Sequence, residues 1–353
     1  MIVAGAGMAG LCAAARAREL RAHAVVLEKG DRAGGSMLLS SGVVWRYREW
    51  DEFRRQCPSG DPGLQRLVFE RLDDGLAWLR SLGAAVVWDE TRNPLTTGVR
   101  FDPRGLTEAL VRAAGDVRLA TTNDEPTILA TGGFQGSGEL VDRYIAPAAP
   151  LALRANPWSA GDGLRLALAR GAALSAGMDE FYGRNMADGP LSERDFEPLA
   201  QLYGHGALVV DDHGEGISVD PADWSETRLV QETARRPGAA AWYVIDDKAL
   251  ADPDVSVRVE RARASGATAS PAELPFALPP SATLAVHVRA SITHTIGGLR
   301  VDTSARVLDA AGAPIDGLFA AGADVGGIST GGYASGLAAA LVLGRVAAEA
   351  AAA

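Results

Sequence analysis

Three glycines phased as G-x-G-x-x-G, namely Gly5, Gly7 and Gly10, stand between the short apolar run 2–4 and a stretch of helical composition at 11–20. An acid, Glu28, closes the next apolar run, Ala24-Val25-Val26-Leu27, 18 residues after the last glycine. That pattern suits a dinucleotide. Gly5 allows the tight turn, Gly7 lets backbone approach a pyrophosphate, and Gly10 lets helix and strand pack closely. The helix N-terminus faces the phosphates, and Glu28 accepts hydrogen bonds from a ribose hydroxyl. Taken alone, the stretch permits NAD or FAD. Further on, Gly34-Gly35-Ser36 and Ser40-Ser41-Gly42 suggest backbone lying against a ligand, as loop and not strand. The run Ile128-Leu129-Ala130-Thr131-Gly132-Gly133 reads as an apolar strand delivering its carboxyl end to a ligand crevice. Asp162, in the small-residue run 159–163, either caps the helix that follows or touches the ligand. A glycine-dense stretch, 323–336, lies between a strand ending at Gly322 and a helix starting at Gly336, and is stable only if something fills the space its absent side chains leave.

The elements that must position these residues are those of an α/β chain. Leu64, Leu67, Val68, Leu72, Leu76 and Leu79 recur at spacings of three and four, predicting a helix over 62–82. A second helix is expected over 105–114, with strands at 86–87, 117–120 and 128–130 and a helix from 159 to about 169. From about Met178 the texture changes to short strands (207–210, 242–245) among turn-rich pieces, which suits a small α+β insert, with the Ala/Ser/Pro-rich 263–281 as a linker. The style of the first part returns near 285. The expected organisation is therefore a nucleotide-binding domain over 1–177, an insert over 178–284 and the remainder of the first domain over 285–353.

With 353 residues, 47% hydrophobic, the chain can hold two domains or one large α/β domain with an insert. A net charge of −10 argues against nucleic acid or an anionic membrane surface as the main partner. Two cysteines, Cys12 and Cys57, are too few for a disulfide framework and lack metal-ligand spacing, so no metal is expected. Residues 1–15 have no charged leader region and run directly into fold, and no apolar run reaches membrane-spanning length, so the expected location is the cytoplasm.

Five separated motifs in one order (VAGAGMAG with Glu28, GGSMLLSSGVVW, ILATGGF, AGDGLRLALARGAAL, and HTIGGLRVDTSARVLDAAGAPIDGLFAAGADVGG continuing into GGYASGLAAALVLGRVA) together resemble the fumarate reductase/succinate dehydrogenase flavoprotein family and its relatives, the 3-ketosteroid dehydrogenases. The resemblance implies a Rossmann-like, glutathione-reductase-type FAD-binding domain carrying an α+β substrate cap. It places the FAD pyrophosphate at Gly5, Gly7, Ala9 and Gly10, the adenosine ribose at Glu28 and Lys29, and further cofactor contacts at Gly34, Gly35, Ser36, Met37, Ser41, Gly42, Ala130, Thr131, Gly132, Asp162, Gly322 and Asp324. The flavin pyrimidine edge would meet the last helix at Ser335, Gly336 and Leu337, whose N-terminus stabilises negative charge there.

Two departures sharpen that expectation. Members that attach FAD covalently carry a histidine just after the glycine turn, whereas Ser36 and Met37 stand here, implying non-covalent FAD. Fumarate reductases clamp a dicarboxylate with an arginine in the final glycine-rich loop, yet residues 322–336 contain no arginine or lysine. That loop is closer to 3-ketosteroid dehydrogenases, in which the tyrosine matching Tyr333 polarises the substrate ketone with a nearby backbone N–H, here that of Gly336. His294 pulls the other way, because fumarate reductases use the histidine of His-Thr-x-Gly-Gly to bind substrate and ketosteroid dehydrogenases usually lack it. Tyr182 and Arg184 are candidates for a face over the flavin. The expected activity is a FAD-dependent dehydrogenase or reductase of a C–C bond next to a carbonyl, with an apolar cyclic ketone as substrate. Tyr333 and a backbone N–H would stabilise the developing enolate charge, His294 would bind substrate, Tyr182 would move the α-proton, and hydride would exchange with flavin N5. Electrons would leave to an external acceptor or to oxygen. A fumarate reductase-like enzyme, an oxygen-using oxidase or hydroxylase, and a non-catalytic flavin-binding protein are the alternatives; a nicotinamide-only enzyme leaves the 128–133 strand and the C-terminal return unexplained.

Overall fold

The computed structural model describes residues 1–219 and 224–353; residues 220–223, inside the expected insert, lie outside that description. In chain order the elements are β1 (Ile2–Ala4), α1 (Met8–Glu19), β2 (Val25–Leu27), α2 (Gly35–Leu38), β3 (Val43–Tyr47), α3 (Trp50–Gln56), α4 (Pro62–Ser81), β4 (Val86–Trp88), β5 (Thr96–Phe101), α5 (Pro103–Ala114), β6 (Val117–Arg118), β7 (Ile128–Leu129) and α6 (Gly138–Tyr144). Then come β8 (Ala152–Leu153), α7 (Asp162–Ala169), β9 (Phe181–Ala187), β10 (Leu208–Val210), α8 (Thr227–Ala234), β11 (Ala240–Ile245), α9 (Asp247–Leu250), α10 (Pro253–Ala264), β12 (Thr268–Ala269), β13 (Leu284–Thr295), β14 (Arg306–Leu308), β15 (Pro314–Ala320) and α11 (Gly336–Ala352). The chain divides into two compact units. The first is Met1–Leu140, Ala155–Glu180 and His294–Ala353; the second is Val141–Arg154 and Phe181–Thr293.

The first unit is built on a six-stranded sheet ordered β14-β15-β7-β1-β2-β6. It is parallel except where β14 pairs antiparallel with β15. The central strands β1, β2 and β7 are short and apolar along their whole length, as strands covered on both faces must be. The chain passes from β1 through α1 to β2 on one side, while β7 takes the other side of β1. The carboxyl ends of β1 and β7 therefore flank the topological switch point, where an open parallel sheet leaves its crevice. Helices α4 and α5 begin alike: Asp61 and Asp102 accept hydrogen bonds from the N–H groups of Leu64 (2.9 Å) and Gly105 (2.6 Å), and a proline follows each at the first helical position. A small antiparallel sheet, ordered β3-β5-β4, completes this unit.

The second unit has its own sheet, β10-β11-β13-β12, with β8 and β9 also pairing with β13. Tyr243, Val286, Val288, Leu229 and Met186 are buried in its core. The final two residues of β13, His294 and Thr295, belong to the first unit.

Two local expectations change. The 34–42 stretch is not all loop, since one helical turn, α2, forms over Gly35–Leu38 once Gly34 takes a left-handed conformation (φ 109°). Nor is 263–281 a linker: α10 runs into it, and Thr268 and Ala269 pair with Val286 and Ala285 of β13. Its alanines and small polar residues pack there as an edge strand. Among the described residues, no helix is long and apolar enough to cross a membrane, and no group of three or more His, Cys, Asp or Glu side chains is arranged to hold a metal.

Candidate active site

The three glycines of the first turn do different things. Gly5 has φ 103°, and a Cβ there would lie 2.1 Å from the Ala130 carbonyl oxygen; one on Gly10 would lie 1.9 Å from the Gly5 carbonyl oxygen. Gly5 is demanded by packing against the chain just after β7, and Gly10 by packing of α1 on the turn after β1. A Cβ on Gly7 would meet nothing within 4 Å. Gly7 is the N-cap of α1, no side chain caps that helix, and no acid stands in its first turn. Unsatisfied amides and the positive end of the helix dipole thus open onto free space beside a glycine, which is the environment a pyrophosphate requires. Ala9 is packed inside this layer, its carbonyl oxygen 2.3 Å from where a Gly344 Cβ would lie and its own Cβ 3.0 Å from that of a substituted Gly322.

Glu28 is buried, and its carboxylate ties the turn together by accepting N–H bonds from Ala6 (2.7 Å) and Gly30 (2.7 Å). Each oxygen has a further lone pair for a ribose hydroxyl. Lys29 and Asp162 engage each other in a half-exposed ion pair at 2.8 Å. Gly34 and buried Met37 belong to the α2 turn. Gly42 (φ 74°) packs against the Phe101 carbonyl, and the exposed Ser41 accepts a bond from Arg100.

At the end of β7, Ala130 leads into Thr131 and Gly132. The Thr131 N–H donates to the Asp324 carboxylate, which also accepts the Thr131 hydroxyl (2.9 Å) and the Gly133 N–H (3.1 Å). The N–H of Gly163 donates to the Thr131 hydroxyl oxygen (3.1 Å). Burial pushes the Asp324 carboxyl above its ordinary value, and these bonds pull it part of the way back. Asp324 therefore fastens the turn after β7 to the loop after β15 (Pro314–Ala320).

The other end of the site is built around α11. Ser335 caps that helix, accepting the Ala338 N–H at 3.3 Å, and a Cβ on Gly336 would lie 3.1 Å from His294 Nε2. Leu337 follows in the first turn, half-buried. The His294 Nδ1–H donates to the Thr295 carbonyl (3.1 Å), leaving Nε2 as the lone-pair nitrogen of a neutral ring. Tyr333 is half-buried; its ring packs edge-on to Trp45 (centroids 5.6 Å apart) and lies 6.4 Å from the His294 ring. The Tyr47 hydroxyl donates to the Tyr333 carbonyl at 2.7 Å. The glycine-dense loop is filled by the protein itself, since Cβ atoms on Gly332 and Gly326 would lie 1.8 Å from the Gln56 carbonyl oxygen and 2.2 Å from the Gly298 nitrogen. The Gly331 N–H donates to Glu180 (2.7 Å), and buried Gln65 donates to the Ile328 carbonyl (2.8 Å).

Burial holds the His294 imidazole below its ordinary value, against the smaller effect of the Thr295 carbonyl. The folded state then binds fewer protons than the unfolded chain just below the ordinary histidine value, so stability is full above it and falls as pH drops toward the folded value. The expected result is a decline in the unfolding midpoint between about pH 7 and 5 that is shallower in His294→Gln, measured by thermal denaturation at each pH. Equal slopes would show that His294 does not carry this effect.

Tyr182 lies on β9 of the second unit, its ring 4.8 Å from the Arg184 guanidinium. Arg184 donates to the Ser225 carbonyl, and beside it Glu226 is buried, its carboxyl pushed up by that burial while Arg184 and His205 pull it back. The first unit thus brings Tyr333 and His294 together, while Tyr182 sits with a charged group of the second. Trp45, Tyr47, Asn156 and Glu226 were not singled out by motif. The only signal for the first two was the i, i+2 spacing of aromatics in 45–47, which puts both on one face of a strand.

Solved structures similar to this chain include the open conformation of a flavocytochrome c3 fumarate reductase (TM-score 0.74, 22% identity, covering 99% of this chain and 77% of that one). Another is the 3-ketosteroid-Δ4-(5α)-dehydrogenase from Rhodococcus jostii RHA1 with 4-androstene-3,17-dione (0.72, 20%, covering 100% and 96%). A third is the 3-ketosteroid Δ1-dehydrogenase from Sterolibacterium denitrificans with 1,4-androstadiene-3,17-dione (0.74, 16%, covering 99% and 98%). In sequence, a probable fumarate reductase of Shewanella frigidimarina is 24% identical over 99% of this chain and 74% of its own length. These likenesses bear out the resemblance read from the five motifs. The model of the FAD binding domain family matches residues 1–113 and 95–337, and the open cradle at Gly7 with its uncapped helix fits that cofactor's pyrophosphate; the chain belongs to the FAD binding domain family and is a FAD-dependent oxidoreductase.

Proposed function

We propose that this enzyme is a dehydrogenase or reductase of a C–C bond adjacent to a carbonyl, and that its substrate is an apolar cyclic ketone of the 3-ketosteroid kind. The observation that carries the reading is the uncharged group at the start of α11: Tyr333 on Trp45, a neutral His294, and no arginine or lysine over 322–336. Such a surface can hydrogen-bond a ketone oxygen but offers no cation for a dicarboxylate. When bound, FAD supplies the hydride chemistry. Tyr333 donates its hydroxyl proton in a hydrogen bond to the substrate carbonyl, joined by the Gly336 N–H, so that charge developing on that oxygen is held by groups already in place. His294, whose neutral ring keeps a lone pair at Nε2, accepts a hydrogen bond from a donor group of the substrate and does not face the carbonyl oxygen. Tyr182 is the residue assigned to move the α-proton. FAD is held without a covalent bond, since Ser36 and Met37 occupy the positions after the glycine turn. Electrons pass to an external acceptor or to oxygen.

A second reading, a fumarate reductase-like enzyme, is favoured by His294 and by the sequence relatives. The two part in one experiment. Holoenzyme is mixed anaerobically with a saturated 3-ketosteroid or with succinate, and the flavin absorbance is followed. Bleaching by the ketone and not by succinate is expected; the reverse pattern transfers the assignment to the second reading.

A further inference from the structure

Asn156 lies on the loop before α7 and is 94% buried by the measure of its 6% exposure. Its main-chain N–H faces the Ser36 hydroxyl at 3.4 Å, and its side-chain oxygen accepts the Trp158 N–H at 2.8 Å. That second bond settles the orientation of the amide, because only the oxygen can accept. The nitrogen, Nδ2, must therefore point the other way. There it lies 3.6 Å from where a Cβ on Gly35 would be, and that same position is 3.2 Å from the Gly7 Cα. Among the described residues Nδ2 donates to no protein group, and it is not sealed from solvent. An amide donor held in a fixed orientation and left open beside a cradle is available to an acceptor on a ligand. The space it faces is the one bounded by Gly7, Gly35 and the uncapped N-terminus of α1, where amides and helix dipole already favour an anion.

We infer that Asn156 is a cofactor-binding residue, its Nδ2–H₂ donating to a phosphate oxygen of the FAD pyrophosphate from the side opposite the α1 amides. The inference rests on the family assignment of FAD and adds a contact from a loop outside the glycine turn. Asn156 thereby does two separable jobs. Its oxygen holds the loop through Trp158, and its nitrogen holds the ligand.

Two substitutions separate them. Asn156→Asp keeps an acceptor for the Trp158 N–H but replaces the donor with a charged oxygen facing phosphate. Asn156→Ala removes both functions without adding charge. Holoenzyme of each variant is diluted and the release of free FAD followed by its fluorescence, and apoprotein is titrated with FAD and its unfolding midpoint measured. The expected result is a dissociation constant raised about tenfold in Asn156→Ala and a hundredfold or more in Asn156→Asp, with the apoprotein midpoint of Asn156→Asp close to that of the unaltered chain. If Asn156→Asp retains FAD as tightly as the unaltered chain, the donor role is overturned and the residue serves only its loop. If Asn156→Ala is the weaker binder and its apoprotein midpoint falls in step, the same conclusion follows. Failure of the unaltered protein to bind FAD at all would instead strike the cofactor assignment.

Discussion

Replacing Tyr333 with phenylalanine is expected, on the proposed function, to lower turnover on a cyclic ketone by about a hundred- to a thousandfold while KM changes little, the cost of removing one donor from a charge-stabilising pair. The substitution is clean on structural grounds. The ring keeps its edge-on contact with Trp45, and the bond donated by the Tyr47 hydroxyl goes to the main-chain carbonyl of Tyr333, which the substitution leaves in place. Flavin content and unfolding midpoint should stay as they were. Anaerobic single-turnover bleaching measures the chemical step directly, and a Tyr333→Phe enzyme that bleaches as fast as the parent removes Tyr333 from the reaction.

The second large effect contrasts two glycines two residues apart. Gly7→Val is expected to fold with an unfolding midpoint like that of the parent apoprotein, because φ there is −80° and nothing stands within 4 Å of the new Cβ. It should nevertheless lose FAD by more than a hundredfold, since the side chain fills the space the pyrophosphate needs. Gly5→Ala is expected to do the opposite kind of damage. With φ at 103° and the Ala130 carbonyl oxygen 2.1 Å from the added atom, the sheet itself must open, and the protein should be lost to the insoluble fraction or unfold many degrees lower. Purified yield, circular dichroism melts and FAD titration of the two variants make the comparison. If Gly7→Val binds FAD normally, the open position is not where the phosphates lie.

The nucleotide end of this protein was legible in the sequence because a ligand approached by main chain leaves glycines behind, and glycines at fixed spacing between apolar runs have few other causes. The parallel strands β1, β2 and β7 were legible as unbroken apolar runs stopped by glycine or an acid, and the helix α4 by its leucines at spacings of three and four. What escaped notice did so physically. Strand β3 holds Trp45 and Tyr47, but five residues with an arginine between two aromatics do not alternate long enough to announce a sheet. In β13 the buried positions do not alternate either, since residues such as Ser291 and Thr295 are buried beside apolar neighbours. Asn156 precedes a proline in a turn-like run, the ordinary setting of an asparagine that closes its own backbone, and nothing in the run says that the amide is buried. Glu226 is an acid, and acids are read as exposed until a fold encloses them. Asp324 was legible as important, yet its hydrogen bonds to Thr131 and Gly133, nearly two hundred residues away, could only be seen in the folded chain.

Two glycines of the loop between β15 and α11 meet main chain directly, Gly332 at the Gln56 carbonyl and Gly326 at the Gly298 nitrogen. Contacts of that kind leave no side chain to exchange, so the loop has little freedom to drift toward a new substrate without losing its shape. Trp45, the ring against which Tyr333 packs, carries no part of the proposed chemistry. A search for altered substrate preference should vary position 45 and leave the glycines alone.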